Sequence, residues 1–415
     1  MTISQLDMFA HVAAVYTDSD TGHVSNVELY ERVADRMKLS PSARKQRERV
    51  GRKQEQHNLF HRSVRWQQQN MRHMGLIKRV DDERGLWSLI APSKKLHTPL
   101  ASARLLAFST RLGMAVWGDS LDTLKSLQEP VHLLFTSTPY LLNKAREYGN
   151  PASEAEFVDF IVAVVEPVMR NLAPGGSVCL NMGQDAFIKG TPARSVFLER
   201  VTLALHDRLG LWLMDRSIWH NPSKPPGPTI WASRERVQLN SAFEFVLWFT
   251  NDPRCVRADN RRVLEPHTEQ QLKLIAKGGE QRYAQYGDGA YTIRHGSFGN
   301  VTPGRIPRNV MTLGHRCRDT QQLRRIATEL GLPTHGASFP TRLPDFWIRF
   351  LTEPGDLVID PCCGWGKTAL AAQRLARRWL IIDKVLDYLR VSGEMFRESD
   401  GYHMPSLITH WPEAA

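Results

Sequence analysis

A chain of 415 residues with 42% hydrophobic content can hold two or three domains and a sizeable core, which excludes a disordered or fibrous class. Lys and Arg outnumber Asp and Glu by 54 to 43, and the formal charge of +11 points to a polyanionic partner. No apolar run reaches the roughly 18 residues of a spanning helix. The start, MTISQLDMFAHVAAVY, lacks a basic leader with a cleavage site. The five cysteines (Cys179, Cys255, Cys317, Cys362, Cys363) contain no CxxC pair, and the histidines lack ligand spacing. A cytoplasmic protein with no membrane attachment, no disulfide framework and no structural metal is expected.

Residues 1–97 read as a separate module. SNVELYERVADRMKL carries Val27, Leu29, Val33, Met37 and Leu39 at near-helical spacing behind Ser25, a plausible N-cap. The next stretch, SARKQRERVGRKQEQHNLFHRSVRWQQQNMRHMG, is strongly basic, and a helix ending near Gly75 is expected. LIKRV and GLWSLI, separated by DDER, read as a hairpin. Helices, then a basic helix, then a hairpin make a winged-helix outline, and the segment resembles winged-helix modules attached to restriction-system proteins. Arg44, Lys45, Arg47, Arg52, Lys53 and Arg65 become candidate DNA contacts. A solvated basic helix without a partner is the alternative.

Residues 98–112 read as a linker. From 113 to 250 strands and helices alternate, as a parallel sheet covered on both faces requires. Trp212, Trp219, Trp248 and Trp347 lie in apolar runs and are expected in the core. Residues 251–315 are polar, Gly-rich and Arg-rich, and read as an irregular basic insert. Alternation resumes over 316–400, before a tail at 401–415.

Two stretches carry chemistry. VHLLFTSTPY is a buried strand that stops in Ser137-Thr138-Pro139-Tyr140, ordinary turn residues taken alone. DLVIDPCCGWGKTALAAQRLA is a strand, a tight glycine turn and a helix. A P-loop is excluded because Pro361 stands where its first glycine is required, and a dinucleotide loop fits badly because residue 369 is alanine. What remains is a short loop with Asp360 at its strand end and Asp383 at the end of the next strand, WLIID. That pair suits a nucleoside-type cofactor such as S-adenosylmethionine.

TSTPY resembles the (D/N/S)PPY motif of amino-group DNA methyltransferases, and DPCCGWGKT resembles their cofactor motif, usually close to DPFxGSGTT. VWGDSLDTLKSL, LAPGGSVCLNMG, SIWHNPSKPPGP, FEFVLWFT and HGASFPTRLPDFWIRFLTEPGDLVIDP resemble further blocks, in order, from about 113 to 395. The resemblance implies a Rossmann-like α/β S-adenosylmethionine-dependent methyltransferase fold in the circularly permuted beta-group order. The halves are then 113–250 and 316–400, with the insert as target-recognition region. It is closest to N4-cytosine methylases of type II restriction–modification systems, because serine opens the tetrapeptide.

The resemblance assigns Ser137, Thr138, Pro139 and Tyr140 to catalysis on a flipped-out base in double-stranded DNA. It assigns Asp360, Pro361, Gly364, Gly366, Thr368, Asp383, Phe339, Pro340 and Asp119 to the cofactor. Arg257, Arg261, Arg262, Arg282 and Arg294 of the insert are expected near phosphates or bases. A cognate restriction endonuclease is the expected partner system; the oligomeric state is open. Thr138, Trp365 and Lys367 depart from the family pattern, and Trp365 is expected to crowd the cofactor or to stack on its adenine. Cys362 is read as a small buried loop residue, not a nucleophile. The alternatives are an N6-adenine methylase and a catalytically inactive DNA-binding regulator.

Overall fold

The computed structural model describes residues 23–50, 55–73, 77–80, 83–89, 104–139, 153–336 and 338–405, with short pieces within 8–19 and Ile408. Among them no helix is long and apolar enough to cross a membrane.

In the N-terminal module a helix spans Asn26–Arg36, and the Ser25 side chain accepts from Glu28 N as its cap. Leu29 and Val33 face the module's core. The expected single basic helix is broken in two. A short helix covers Pro41–Lys45, strands Arg47–Val50 and Glu55–Asn58 pair antiparallel, and a second helix runs over Leu59–His73. Asn58 explains the break: its Oδ1 accepts from His61 N and its Nδ2 donates to the Arg44 carbonyl. It therefore caps the new helix and ties it to the preceding one. Strands Ile77–Arg79 and Leu86–Leu89 form the expected hairpin, and His23–Ser25 joins them as a third antiparallel strand.

The remainder is built on one nine-stranded sheet. Its strands are β1 (Arg104–Ser109), β2 (Gly113–Gly118), β3 (Val131–Ser137), β4 (Leu172–Met182), β5 (Trp212–His220), β6 (Phe243–Thr250), β7 (Val310–Thr312), β8 (Leu357–Asp360) and β9 (Arg378–Asp383). Their order across the sheet is β7-β5-β6-β4-β3-β8-β9-β2-β1. The central five, β4 to β2, are parallel, as their near-continuous apolar runs require. The flanks are not: β6 runs antiparallel to β4 and to β5, and β1 antiparallel to β2, so the sheet is mixed. Strand β1 lies inside the stretch expected to be a linker.

Helices α1 (Ser120–Leu124), α2 (Glu154–Met169), α3 (Phe197–Leu209), α4 (Glu269–Ala276), α5 (Arg318–Glu329), α6 (Arg342–Leu351), α7 (Lys367–Arg374) and α8 (Leu386–Gly393) complete it. Trp219, Trp248 and Trp347 are buried as expected, whereas Trp212 is 52% exposed. It opens β5, and its ring meets His206 edge-on.

The crossover from β3 leads outward to β4, and that from β8 leads the other way to β9. The carboxyl ends of β3 and β8 therefore flank the point where strand order reverses, the place where open α/β sheets bind ligands.

Candidate active site

Asp360 ends β8 fully buried. Its Oδ1 accepts from Thr136 Oγ1 at 2.7 Å and from Cys362 N at 3.1 Å, and its Oδ2 accepts from Thr368 Oγ1 at 2.6 Å. Loss of hydration nonetheless pushes this carboxyl up to about 6. Asp383, at the end of β9, accepts from Gly364 N at 2.7 Å and from Val385 N at 2.8 Å, and burial raises it to about 6 as well. The two acids thus fold the glycine turn from both sides. Gly364 and Gly366 adopt left-handed φ angles of 51° and 63°. A Cβ at Gly364 would meet His335 Nε2 at 2.8 Å, and one at Gly366 would meet Ser392 Oγ at 2.2 Å. Only glycine fits either position.

Ser137 closes β3 in register with Asn181 of β4, and Thr138 behind it is buried. Pro139 is half-buried; Tyr140 lies outside the described residues. Phe339 packs edge-on against Phe135 of β3 and its carbonyl accepts from Lys367, the residue after the glycine turn, so Phe339 bridges β3 and that turn. Asp119 caps α1 through Leu121 N and pairs with Lys384 at 2.9 Å, one residue beyond Asp383.

Several groups escaped the reading of the sequence. Thr136 binds Asp360 from the neighbouring strand. Asn181 donates to Glu244 Oε2 and to the Phe245 carbonyl, both at 3.2 Å, beside Ser137. Lys224 bonds Asp185 at 3.0 Å on the same rim. Burial alone would raise the Asp185 carboxyl, but hydrogen bonds from Ser241, Lys224 and Arg194 hold it below its ordinary range. A strand's alternation hints at Thr136 and Asn181; nothing local identifies their partners.

Two departures are resolved. The ring of Trp365 is buried among Leu323, Ile326, Val385, Tyr388 and Val391 and so offers little surface for stacking. Lys367 is buried too, its ammonium bonded to Thr320 Oγ1 and the Phe339 carbonyl. Cys362 is half-buried on the cofactor turn, and burial with Asp360 and Asp383 alongside pushes its thiol up, which disfavours a thiolate there.

The basic candidates divide. Arg257 pairs with Asp356 at 2.8 Å and Arg262 with Glu353 at 2.6 Å, at the amino end of β8 and away from Ser137. These two ion pairs tie the insert's first residues to the body, a role the sequence reading did not anticipate for them. Arg261 is exposed but chelates Asp259. Arg44 is half-buried and held by Asp35 and the Leu39 carbonyl. Arg282 and Arg294 are exposed on the projecting part of the insert, which Glu265 and Arg305 close with two backbone hydrogen bonds. Lys45, Arg47 and Arg65 are exposed, with Arg65 bonded to Tyr30; Arg52 and Lys53 lie outside the described residues.

Residues 131–394 match the family model described as DNA methylase, the N6/N4 methylases. This chain belongs to the N6/N4 DNA methylase family. The methyl donor of that family is S-adenosyl-L-methionine. Residues 9–96 of the methylase match the Mrr N-terminal domain. The type II methyltransferase M.PvuII of Proteus hauseri is 32% identical over 295 residues, 71% of this chain and 86% of that protein. M.BglII of Bacillus subtilis is 22% identical over 70% of this chain and 71% of its own length. The solved PvuII DNA methyltransferase (cytosine-N4-specific) superposes with a TM-score of 0.57 at 29% identity, covering 75% of this chain and 94% of that one.

Proposed function

We propose that this methylase moves the methyl group of S-adenosyl-L-methionine to the exocyclic N4 of a cytosine flipped out of duplex DNA. The observation that carries this reading is the junction of Ser137, closing β3, with the glycine loop that opens at Asp360 on the adjacent strand. A serine leads the catalytic tetrapeptide, and the solved relative of matching fold is described as cytosine-N4-specific.

The residues present fit the cofactor. A cationic sulfonium suits a turn flanked by two carboxylates, and a ribose diol suits Asp383, whose two oxygens keep acceptor capacity beyond their backbone bonds. Asp360, Gly364, Gly366 and Thr368 would hold the loop around it, with Phe339-Pro340 as the opposite wall. When bound, S-adenosyl-L-methionine supplies an electrophilic methyl on sulfur. Ser137 Oγ and a main-chain carbonyl at 138 or 139 accept the amino hydrogens, which frees the nitrogen lone pair for attack. The nitrogen gains a methyl and releases one proton, held in its hydrogen bond to Ser137 Oγ until water removes it. Tyr140 stacks on the extruded base. Catalysis is positioning and hydrogen bonding, without a covalent enzyme intermediate.

DNA contact is assigned to two surfaces. The projecting insert carries exposed Tyr283, Tyr286, Tyr291 and Phe298 among Arg282 and Arg294, a mixture suited to bases and phosphates. In the N-terminal module, read as a winged helix, exposed Arg62 and Trp66 share the helix Leu59–His73, with Arg47 on the hairpin before it. The enzyme serves as the modification partner of a restriction endonuclease or as an orphan equivalent.

The test is expression in a host devoid of DNA methylation, followed by mass spectrometry of its nucleosides. N4-methylcytosine, absent with Ser137→Ala, is expected; N6-methyladenine would overturn the base assignment, and neither base the activity.

A further inference from the structure

The side chain of Lys367 is 2% exposed, in a position where the resembled motif carries threonine. It opens α7, directly after the glycine turn. Its Nζ donates to Thr320 Oγ1 at 2.5 Å, in the first turn of α5, and to the Phe339 carbonyl at 2.8 Å. No carboxylate forms an ion pair with it among the described residues: Asp319, whose charge favours the ammonium, is itself held bidentate by Arg374 at 2.8 Å. Thr320 Oγ1 also lies 3.1 Å from Cys317 Sγ, the N-cap of α5. A buried cation bonded only to neutral groups is expensive, and an apolar residue would fill the same volume more cheaply. What the ammonium adds is a link among three chain segments: glycine turn, start of α5 and Phe339-Pro340. Two of these are the walls assigned above to the cofactor.

We infer that Lys367 is a positioning residue of the cofactor site, its ammonium holding the Phe339-Pro340 main chain and the start of α5 against the glycine loop. The inference rests on the reading that this loop binds S-adenosyl-L-methionine. Phe339 cannot shift along β3 while its carbonyl is held, because its ring is also seated on Phe135. The gap between the walls, where the amino-acid end of the cofactor fits, is therefore set by one side chain.

Protonation governs the strength of the link. Burial brings the ammonium down to about 8, with Cys317 and Asp319 favouring the charge and Arg324 opposing it; His315 also faces it. Burial would raise the Cys317 thiol, but bonds from Thr320 and Thr341 and the Lys367 charge bring it below its ordinary value. Below about 8 the donors are charge-assisted; above it they are neutral and roughly half as strong.

The experiment measures binding of S-adenosyl-L-homocysteine to the full chain by calorimetry, from pH 7 to 9.5, for wild type, Lys367→Met and Cys317→Ser. Thermal melting of each variant is followed in parallel. The inference requires Lys367→Met to bind at least tenfold more weakly at pH 7 while melting no lower than wild type. Wild-type affinity should fall several-fold above pH 8, a fall absent from Lys367→Met and retained in Cys317→Ser. Wild-type-like affinity in Lys367→Met, or the same pH dependence in it, would overturn the inference and leave the cofactor reading intact. A wild-type chain that binds no S-adenosyl-L-homocysteine at any pH would overturn both. If Lys367→Met fails to fold, the wild-type profile decides: affinity flat to pH 9.5 contradicts the role, and a fall above pH 8 kept in Cys317→Ser supports it.

Discussion

Thr136 and Asp360, 224 residues apart in sequence, meet at 2.7 Å where β3 lies beside β8. That bond joins the two halves of the site inside the core, and it supports a carboxylate that has no exposure to water. Thr136→Val keeps the shape and removes the donor. Leaving a buried oxygen short of a partner costs about 1–3 kcal/mol. The loss should be larger at pH 8, where Asp360 is ionised, than at pH 5, where it is protonated. Denaturant unfolding at the two pH values checks this, and equal losses would show that the bond does not support the charge.

A second prediction follows from the raised carboxyls. Asp360 and Asp383 titrate near 6 in the fold, above the value of about 4 in an unfolded chain. The folded state therefore holds more protons between pH 4 and 6, and these two groups contribute stability at low pH that is lost as pH rises through 6. Cofactor binding runs the opposite way, because the ribose hydroxyls need Asp383 ionised to accept their hydrogens. Affinity for S-adenosyl-L-homocysteine should be about tenfold weaker at pH 5 than at pH 7. Asp383→Asn should already bind weakly at pH 7. Equal wild-type affinity at the two pH values would remove Asp383 from the site.

Trp365 belongs to packing. Trp365→Ala should cost about 3–5 kcal/mol, as large-to-small changes in a core do. Chemical denaturation reads that cost directly. A tighter cofactor complex with unchanged stability would instead return Trp365 to the pocket.

The N-terminal module has its own test. If Arg47 and Arg62 each neutralise one phosphate, replacing both by Ala lowers the slope of log affinity against log salt by about 1.8. Filter binding to duplex DNA between 50 and 200 mM salt, on the order of the usual range, measures it. An unchanged slope would leave these two arginines out of the interface.

The strands of VHLLFTS and DLVID, the glycine turn and Asp383 were readable because each rests on local rules: apolar runs, obligatory glycines, an acid at a strand end. Their adjacency in the sheet came only through the resemblance, since no local signal brings Ser137 to Asp360. Other features depend on partners distant in sequence. Asn58 capped a helix within a basic run that reads as continuous. Arg257 and Arg262 found Asp356 and Glu353, 99 and 91 residues further on respectively, because long cations take whichever acid the fold presents. The ring of Trp365 and the ammonium of Lys367 turned away from the loop that bears them, toward α5, whose docking no spacing reveals.

The central claim is transfer to cytosine N4 through Ser137, and one measurement addresses it most directly. Purified full-length protein, wild type and Ser137→Ala, is incubated with unmethylated genomic DNA and methyl-labelled S-adenosyl-L-methionine, and the labelled nucleoside is identified. The account predicts label in N4-methylcytosine, with the Ser137→Ala rate down by about 100-fold or more and DNA binding retained. Label in N6-methyladenine, or an unimpaired Ser137→Ala enzyme, would contradict it.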